Sequence, residues 1–336
     1  MQTPATSVET ASGAGTTRLH YLDWLRVVAI LMVFLYHAVH PFDLTDWHIK
    51  NGEQSELITI FMFFVSPWGM PFFFLIAGTG TWFALRHRTA RQYVDERLRR
   101  LLMPFIFGCL LLTPVMLYFE WLHKTQTGLL TNSFGEFVSS RTIPISSQFF
   151  GAVGYHLWFL GFLLSYSLLA LPFFLWLRGA AGQHIVSRLA GLCERRGGIL
   201  LAVVPLLLIQ LVLRPFFLEG EHNWADFFYM LGFFLLGYIL YSDERFARAI
   251  RRDWWLTFAI GVITTVIGIT LIVFANAIDW GSEPGTPGFY VAWSFMVING
   301  WCWVVFLLFV GMRFLDFTNR WLRYGQEAIL PFFVFH

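Results

Sequence analysis

The chain has 336 residues, of which 57% are hydrophobic and 13% charged, with a mean hydropathy of +0.61 and a net charge of +2. Soluble domains carry roughly 25% charged residues, so these values exclude a soluble globular protein and describe an integral membrane protein. The small net charge gives no support to nucleic-acid binding, and the three cysteines offer neither an outer disulfide framework nor metal-ligand spacing.

Residues 2–17 are rich in Thr, Ala, Ser and Gly and lack the apolar core of a secretory signal, so residues 1–17 read as a disordered cytoplasmic tail. Long apolar runs then follow in order: Leu22–Phe42, Leu57–Leu85, Leu101–Leu122, His156–Leu177, Gly198–Leu218, Phe227–Tyr241, Trp255–Ala275 and Phe289–Met312. Most reach the ~20 residues that cross a hydrocarbon core. Phe227–Tyr241 is the shortest and crosses only with its flanking aromatic residues at the interfaces. A further run from Ala328 ends after about nine residues, too few to span. The expected fold class is therefore all-α, a polytopic transmembrane helix bundle with eight complete spans and the start of a ninth, in a chain that reads as truncated. Residues 18–336 form one membrane domain. The segment 120–155 is long enough for a short interfacial helix on the outer face.

Basic residues set the orientation. Of the 23 Lys and Arg, eighteen fall in alternate segments around Arg18, Arg86–Arg100, Arg178–Arg196, Arg245–Arg252 and Arg313–Arg323, and four fall in the opposite loops. Positive-inside bias places the N-terminus and the arginine-rich loops in the cytoplasm of a multi-pass protein of the cell membrane.

The first span carries two ionisable residues, Arg26 and His37, eleven positions apart and hence about 16 Å apart along one helix face. Asp23 and His40 lie near the same stripe. Arg26 is close enough to the cytoplasmic end to snorkel, aided by an ion pair with Asp23. His37 is some 22 Å above the inner boundary, where a buried imidazole serves either as a structural hydrogen-bonder or as a working base. A second basic group, Arg97-Leu-Arg99-Arg100, precedes Pro104 at the inner entry to the third span. The planar guanidinium forms bidentate bonds to phosphate, and Arg97 and Arg100 would share a face. Positive-inside anchors have the same pattern.

These motifs resemble the acyltransferase-3 family of integral membrane acyltransferases. Arg26 and His37 with ten residues between them match its first helix. Pro71-Phe-Phe-Phe-Leu-Ile-Ala-Gly78 resembles its aromatic run ending in Gly, Arg97-x-x-Arg100 with Pro104 its cytoplasmic basic motif, and His156-Leu-Trp-Phe-Leu160 another frequent element. Tyr324-Gly325 and Phe332-Phe-Val-Phe-His336 look like the beginning of a late helix. The likeness is strongest to members acting on glucans and other envelope carbohydrates.

The resemblance implies O-acylation. A cytoplasmic acyl-coenzyme A serves as co-substrate, no cofactor is bound, and a carbohydrate or glycolipid hydroxyl on the outer side accepts the acyl group. On that pattern Arg26, Arg97 and Arg100 bind the donor phosphates, His37 is the general base, and His156 lies toward the acceptor. Asp43, Glu219, Asp226 and Asp279 all lie toward the outer half as carboxylates able to orient His37, and the sequence does not choose among them. The competing reading is a transporter or flippase for a carbohydrate or lipid-linked substrate, with Gly78–Gly80, Pro114 and Gly268 breaking helices at a substrate site.

Overall fold

A computed structural model describes residues 19–125, 157–218, 222–275, 281 and 283–335, and all regular structure among them is helical. The helices are α1 (His20–Val39), α2 (Glu56–Val65), α3 (Gly69–His87), α4 (Ala90–Arg97), α5 (Met103–Thr125), α6 (Trp158–Leu169), α7 (Leu171–Leu177), α8 (Ala180–Cys193), α9 (Val203–Leu213), α10 (Trp224–Leu240), α11 (Glu244–Ala275), α12 (Pro287–Phe314) and α13 (Arg320–Phe335). Apolar surroundings supply no partners for backbone N–H and C=O groups, so each crossing segment has to close its own hydrogen bonds as a helix. The expected tail over residues 1–17, most of the 120–155 connection and His156 lie outside the described residues.

The expected eight spans become six helical stretches long and apolar enough to cross, or seven if α6 and α7, bent by 47° at Ala170, act as one. Two of the six are composite. Glu56–His87 joins α2 to α3 across Pro67, and Ala90–Lys124 joins α4 to α5 through a π turn at Leu98–Leu102. The expected run Phe227–Tyr241 is α10, helical as anticipated but only 17 residues long. The late run expected from Ala328 starts earlier, at Arg320, and α13 packs along α1.

The closest pairing in the bundle is α3 with α10, and glycine makes it possible. A Cβ at Gly78 would lie 1.9 Å from the Phe234 carbonyl oxygen, and one at Gly237 would lie 2.0 Å from that of Leu75. The two backbones therefore touch where side chains are absent, as in small-residue packing between membrane helices. Around this seam sits an aromatic core in which Phe174 stacks on Tyr238 at 4.0 Å and Phe74 packs against Phe159 and Tyr166. α1, α3 and α6 are held against this core, which gives the ionisable residues of α1 a rigid wall to face.

Candidate active site

Arg26 is anchored one turn above Asp23, with its Nη1 donating to the Asp23 Oδ1 at 3.0 Å, and Asp23 is buried. Arg97 arrives by a different route. Thr89 and Gln92 form a capping box that starts α4, and the π turn after Arg97 re-aims the chain before α5. The Arg97 guanidinium lies over the Tyr93 ring at 4.9 Å and donates from Nη2 to the Thr81 Oγ1 at 3.3 Å. Its Nε–H is buried with no acceptor among the described residues. A charged donor left in that state favours an anion close by. Arg100 is largely exposed and pairs with Glu96 at 3.3 Å.

All three arginines line one cavity of about 1400 Å³. Arg86, Arg88, Arg248 and Arg251 join them, so seven arginines face five carboxylates: Asp23, Glu96, Asp243, Glu244 and Asp316. Asp243 is occupied by hydrogen bonds from Arg245, which hold its carboxyl below the usual range. The same cavity has an apolar part of its lining that includes Ile30, Phe73, Phe159 and Phe333. A polyanion with an apolar arm is the complementary shape.

His37 does not line this cavity. Ile30 is the deepest lining residue on α1, and His37 is seven residues, about 10 Å, farther along the helix. Phe159 and Phe333, with ring centroids 5.4 Å apart, both line the cavity. The Nδ1 of His37 lies 2.8 Å from the Val33 carbonyl oxygen. A carbonyl only accepts, so in the neutral ring Nδ1 carries the proton and Nε2 the lone pair. Tyr36 and Trp47 flank the imidazole at 5.7 and 6.0 Å between centroids.

Two of the four carboxylates open to His37 in the sequence are engaged elsewhere. Asp43, fully buried, takes the His40 Nδ1 and the Lys50 Nζ, each at 2.7 Å. Asp226 pairs with Arg214, whose guanidinium lies 4.1 Å over Trp293. Glu219 and Asp279, like His156, are outside the described residues.

Sequence reasoning counted Arg86, Arg88, Arg248 and Arg251 as orientation anchors and missed their place in the cavity. A hint was available, since the expected topology puts all four on the same side as Arg97. It also missed a second cavity of about 690 Å³ near Arg214, Trp293 and Asn299, which shares no lining residue with the first.

The sequence profile of a family described as an acyltransferase domain matches residues 19–336. Similar proteins include the "Glucans biosynthesis protein C" of Salmonella paratyphi A, Salmonella agona and Salmonella dublin. Each is 21% identical over 335 residues, covering 97% of this chain and 83% of the relative. No solved structure matches the chain.

Proposed function

This chain belongs to the acyltransferase domain family and is a multi-pass membrane acyltransferase, and we propose that it moves an acyl group from cytoplasmic acyl-coenzyme A to a hydroxyl of an envelope carbohydrate, a glucan in the first instance. The buried Nε of Arg97, without an acceptor among the described residues in an arginine-walled cavity, carries this reading. Coenzyme A supplies the matching groups, phosphates for Arg26, Arg97 and Arg100 and a long, weakly polar arm for the apolar part of the lining. The relatives' names, which specify glucan biosynthesis, support the acceptor class.

The reaction divides between the two ends of α1. Donor phosphates stay with the arginines while the thioester passes the Phe159–Phe333 contact and approaches His37 from the inner side. The acceptor hydroxyl comes from the outer side. Nε2 of His37 takes the hydroxyl proton as the oxygen attacks the thioester carbonyl. The new C–O ester bond forms, the C–S bond breaks, and the coenzyme A thiolate leaves and recovers a proton to become the thiol. No covalent acyl-enzyme is needed. Arginine suits the donor end because its charge is permanent, and histidine suits the other because its ordinary pKa lies near working pH.

Membership of an enzyme family answers the transporter reading. The test is direct: purified protein in lipid nanodiscs, given acetyl- or succinyl-coenzyme A and a glucose oligosaccharide, should yield an ester-sized mass increase on the sugar. His37→Ala should lower the rate by about 10²–10⁴-fold, the usual worth of a general base, with insertion unchanged. Transfer at the unaltered rate in the variant removes the assignment of His37, and absence of any sugar ester with the unaltered protein removes the function.

A further inference from the structure

The loop that follows α1 returns over its outer end on an unusually dense set of polar contacts. The Asp43 carboxylate, fully buried, binds His40 and Lys50 and also accepts from the Thr45 backbone N–H and hydroxyl, both at 2.9 Å. Lys50 Nζ reaches on to the His40 carbonyl oxygen at 2.8 Å. Backbone bonds from Asn51 to Pro41 and from Ser55 to Phe42 close the loop at 2.9 and 2.8 Å. Within this frame the His40 imidazole stacks on the Trp47 indole, with centroids 4.0 Å apart and planes 19° apart. His48 packs against the same indole at 4.5 Å and pairs with Glu120 at 3.2 Å.

From this arrangement we infer that Trp47 is the acceptor-sugar platform, the ring against which the pyranose bearing the reacting hydroxyl packs. The inference rests on the reading of His37 as the base. The Trp47 and His37 ring centroids are 6.0 Å apart. A general base acts on a proton within about 3 Å, and a pyranose is roughly as wide as an aromatic ring. A sugar whose hydroxyl reaches His37 from the Trp47 side therefore lies against the indole. The C–H face of a pyranose is apolar and its rim polar, which calls for a flat aromatic surface with hydrogen-bonding neighbours. Trp47 offers the surface, His48 packs against it, and Glu120 pairs with His48.

A tryptophan at this depth also suits the interfacial belt that anchors membrane proteins. A belt residue turns its ring to lipid, however, and gains nothing from a buried Asp–His–Lys set behind it. Trp47 is half-buried, with His40 stacked on one face of the indole and the tilted rings of His48 and His37 at 4.5 and 6.0 Å. His40, Asp43 and Lys50 are then positioning residues that keep the indole at a fixed distance from His37.

The experiment uses the full chain in nanodiscs with acetyl-coenzyme A and a glucose oligosaccharide. Trp47→Ala should raise the acceptor KM at least tenfold while the donor KM stays within twofold, and Trp47→Phe, which keeps a flat ring, should restore most of the loss. Should the Ala variant fail to insert, Trp47→Leu keeps bulk without a flat face and must behave as described for Ala. An unchanged acceptor KM in an inserted variant, or Phe no better than Leu, overturns the platform. No transfer by the unaltered protein overturns the acyltransfer reading beneath it, and the platform with it.

Discussion

The guanidinium of Arg26 lies against the backbone of Gly80, so that a Cβ added to Gly80 would stand 2.9 Å from the Arg26 Nη2. Gly80 thus leaves space on α3 for the only basic residue within α1 other than its histidines. The atom in the way is the far end of a flexible side chain, so the conflict resolves by moving Arg26 and leaving the helices in place. Gly80→Ala should therefore preserve folding, and Gly80→Val should displace the guanidinium further and raise the acyl-coenzyme A KM several-fold more. Donor titrations of both variants, beside their thermal melting in detergent, check this. An unaltered donor KM in Gly80→Val would separate Arg26 from donor binding.

Arg97 and Arg100 differ in burial and should differ in effect. Arg97 is clamped by Thr81 and Tyr93 with an Nε that finds no acceptor among the described residues, whereas Arg100 is mostly exposed and paired to Glu96. A hydrogen bond to a charged group contributes about 1.5–3 kcal/mol, so Arg97→Gln should weaken donor binding by about 10–100-fold, and Arg100→Gln by less. Arg97→Lys keeps the charge, loses the fork and should fall between. Calorimetric binding of coenzyme A to correctly inserted variants measures the order, and equal affinities would return both residues to topology anchors.

Gly78→Ala addresses the fold alone. The added methyl meets a backbone carbonyl at 1.9 Å, which cannot swing aside as a side chain does. Overpacking of this kind costs about 1–3 kcal/mol or more, and α3 and α10 must part to accept it. A clear loss of thermal stability and of inserted yield is expected, larger than for Gly80→Ala. A neutral Gly78→Ala would show that the backbones do not meet.

His222, in the turn before α10, stacks on Trp158 at 3.9 Å, and burial pushes its imidazole down to about 4. Between that value and the ordinary 6.5 the unfolded chain binds the extra proton and the folded one does not. Stability therefore falls as pH drops from about 6.5 toward 4, by up to about 3 kcal/mol. Melting temperatures across that window should decline less in His222→Phe than in the unaltered protein. Parallel curves would show that another group carries the acid sensitivity.

Orientation is tested without any assay of transfer. Glu53→Cys and Glu283→Cys should react with an impermeant thiol reagent applied outside intact cells, while Arg91→Cys and Arg248→Cys should react only after the membrane is opened. Cys193 and Cys302 are buried and Cys109 half-buried, which keeps the background low. The reverse labelling would put the arginine-lined cavity outside, away from cytoplasmic coenzyme A.

Composition and pattern determined that this chain is a helical membrane protein, because apolar runs in lipid have no alternative to the helix. The excess of arginine on alternate loops is equally a one-dimensional signal, and so is the Arg26–His37 spacing on a single helix, which needs only the helical pitch. The Arg26–Asp23 pair is local in the same way. Tertiary structure decided what lies between helices. It brought Arg86, Arg248 and Arg251 into the cavity of Arg26 and Arg97, although these residues come from three different segments. It showed why the aromatic run ends in Gly78, since the reason is a carbonyl on α10, more than 150 positions away. It gave Asp43 to His40 and Lys50 through a turn whose path hydropathy does not encode. The span count changed because the chain bends by 47° at Ala170 within one expected run and because α10, at 17 residues, is short for a crossing, neither of which apolar length alone reveals. Periodicity along a chain specifies which face a residue occupies, and packing between chain segments specifies what that face meets.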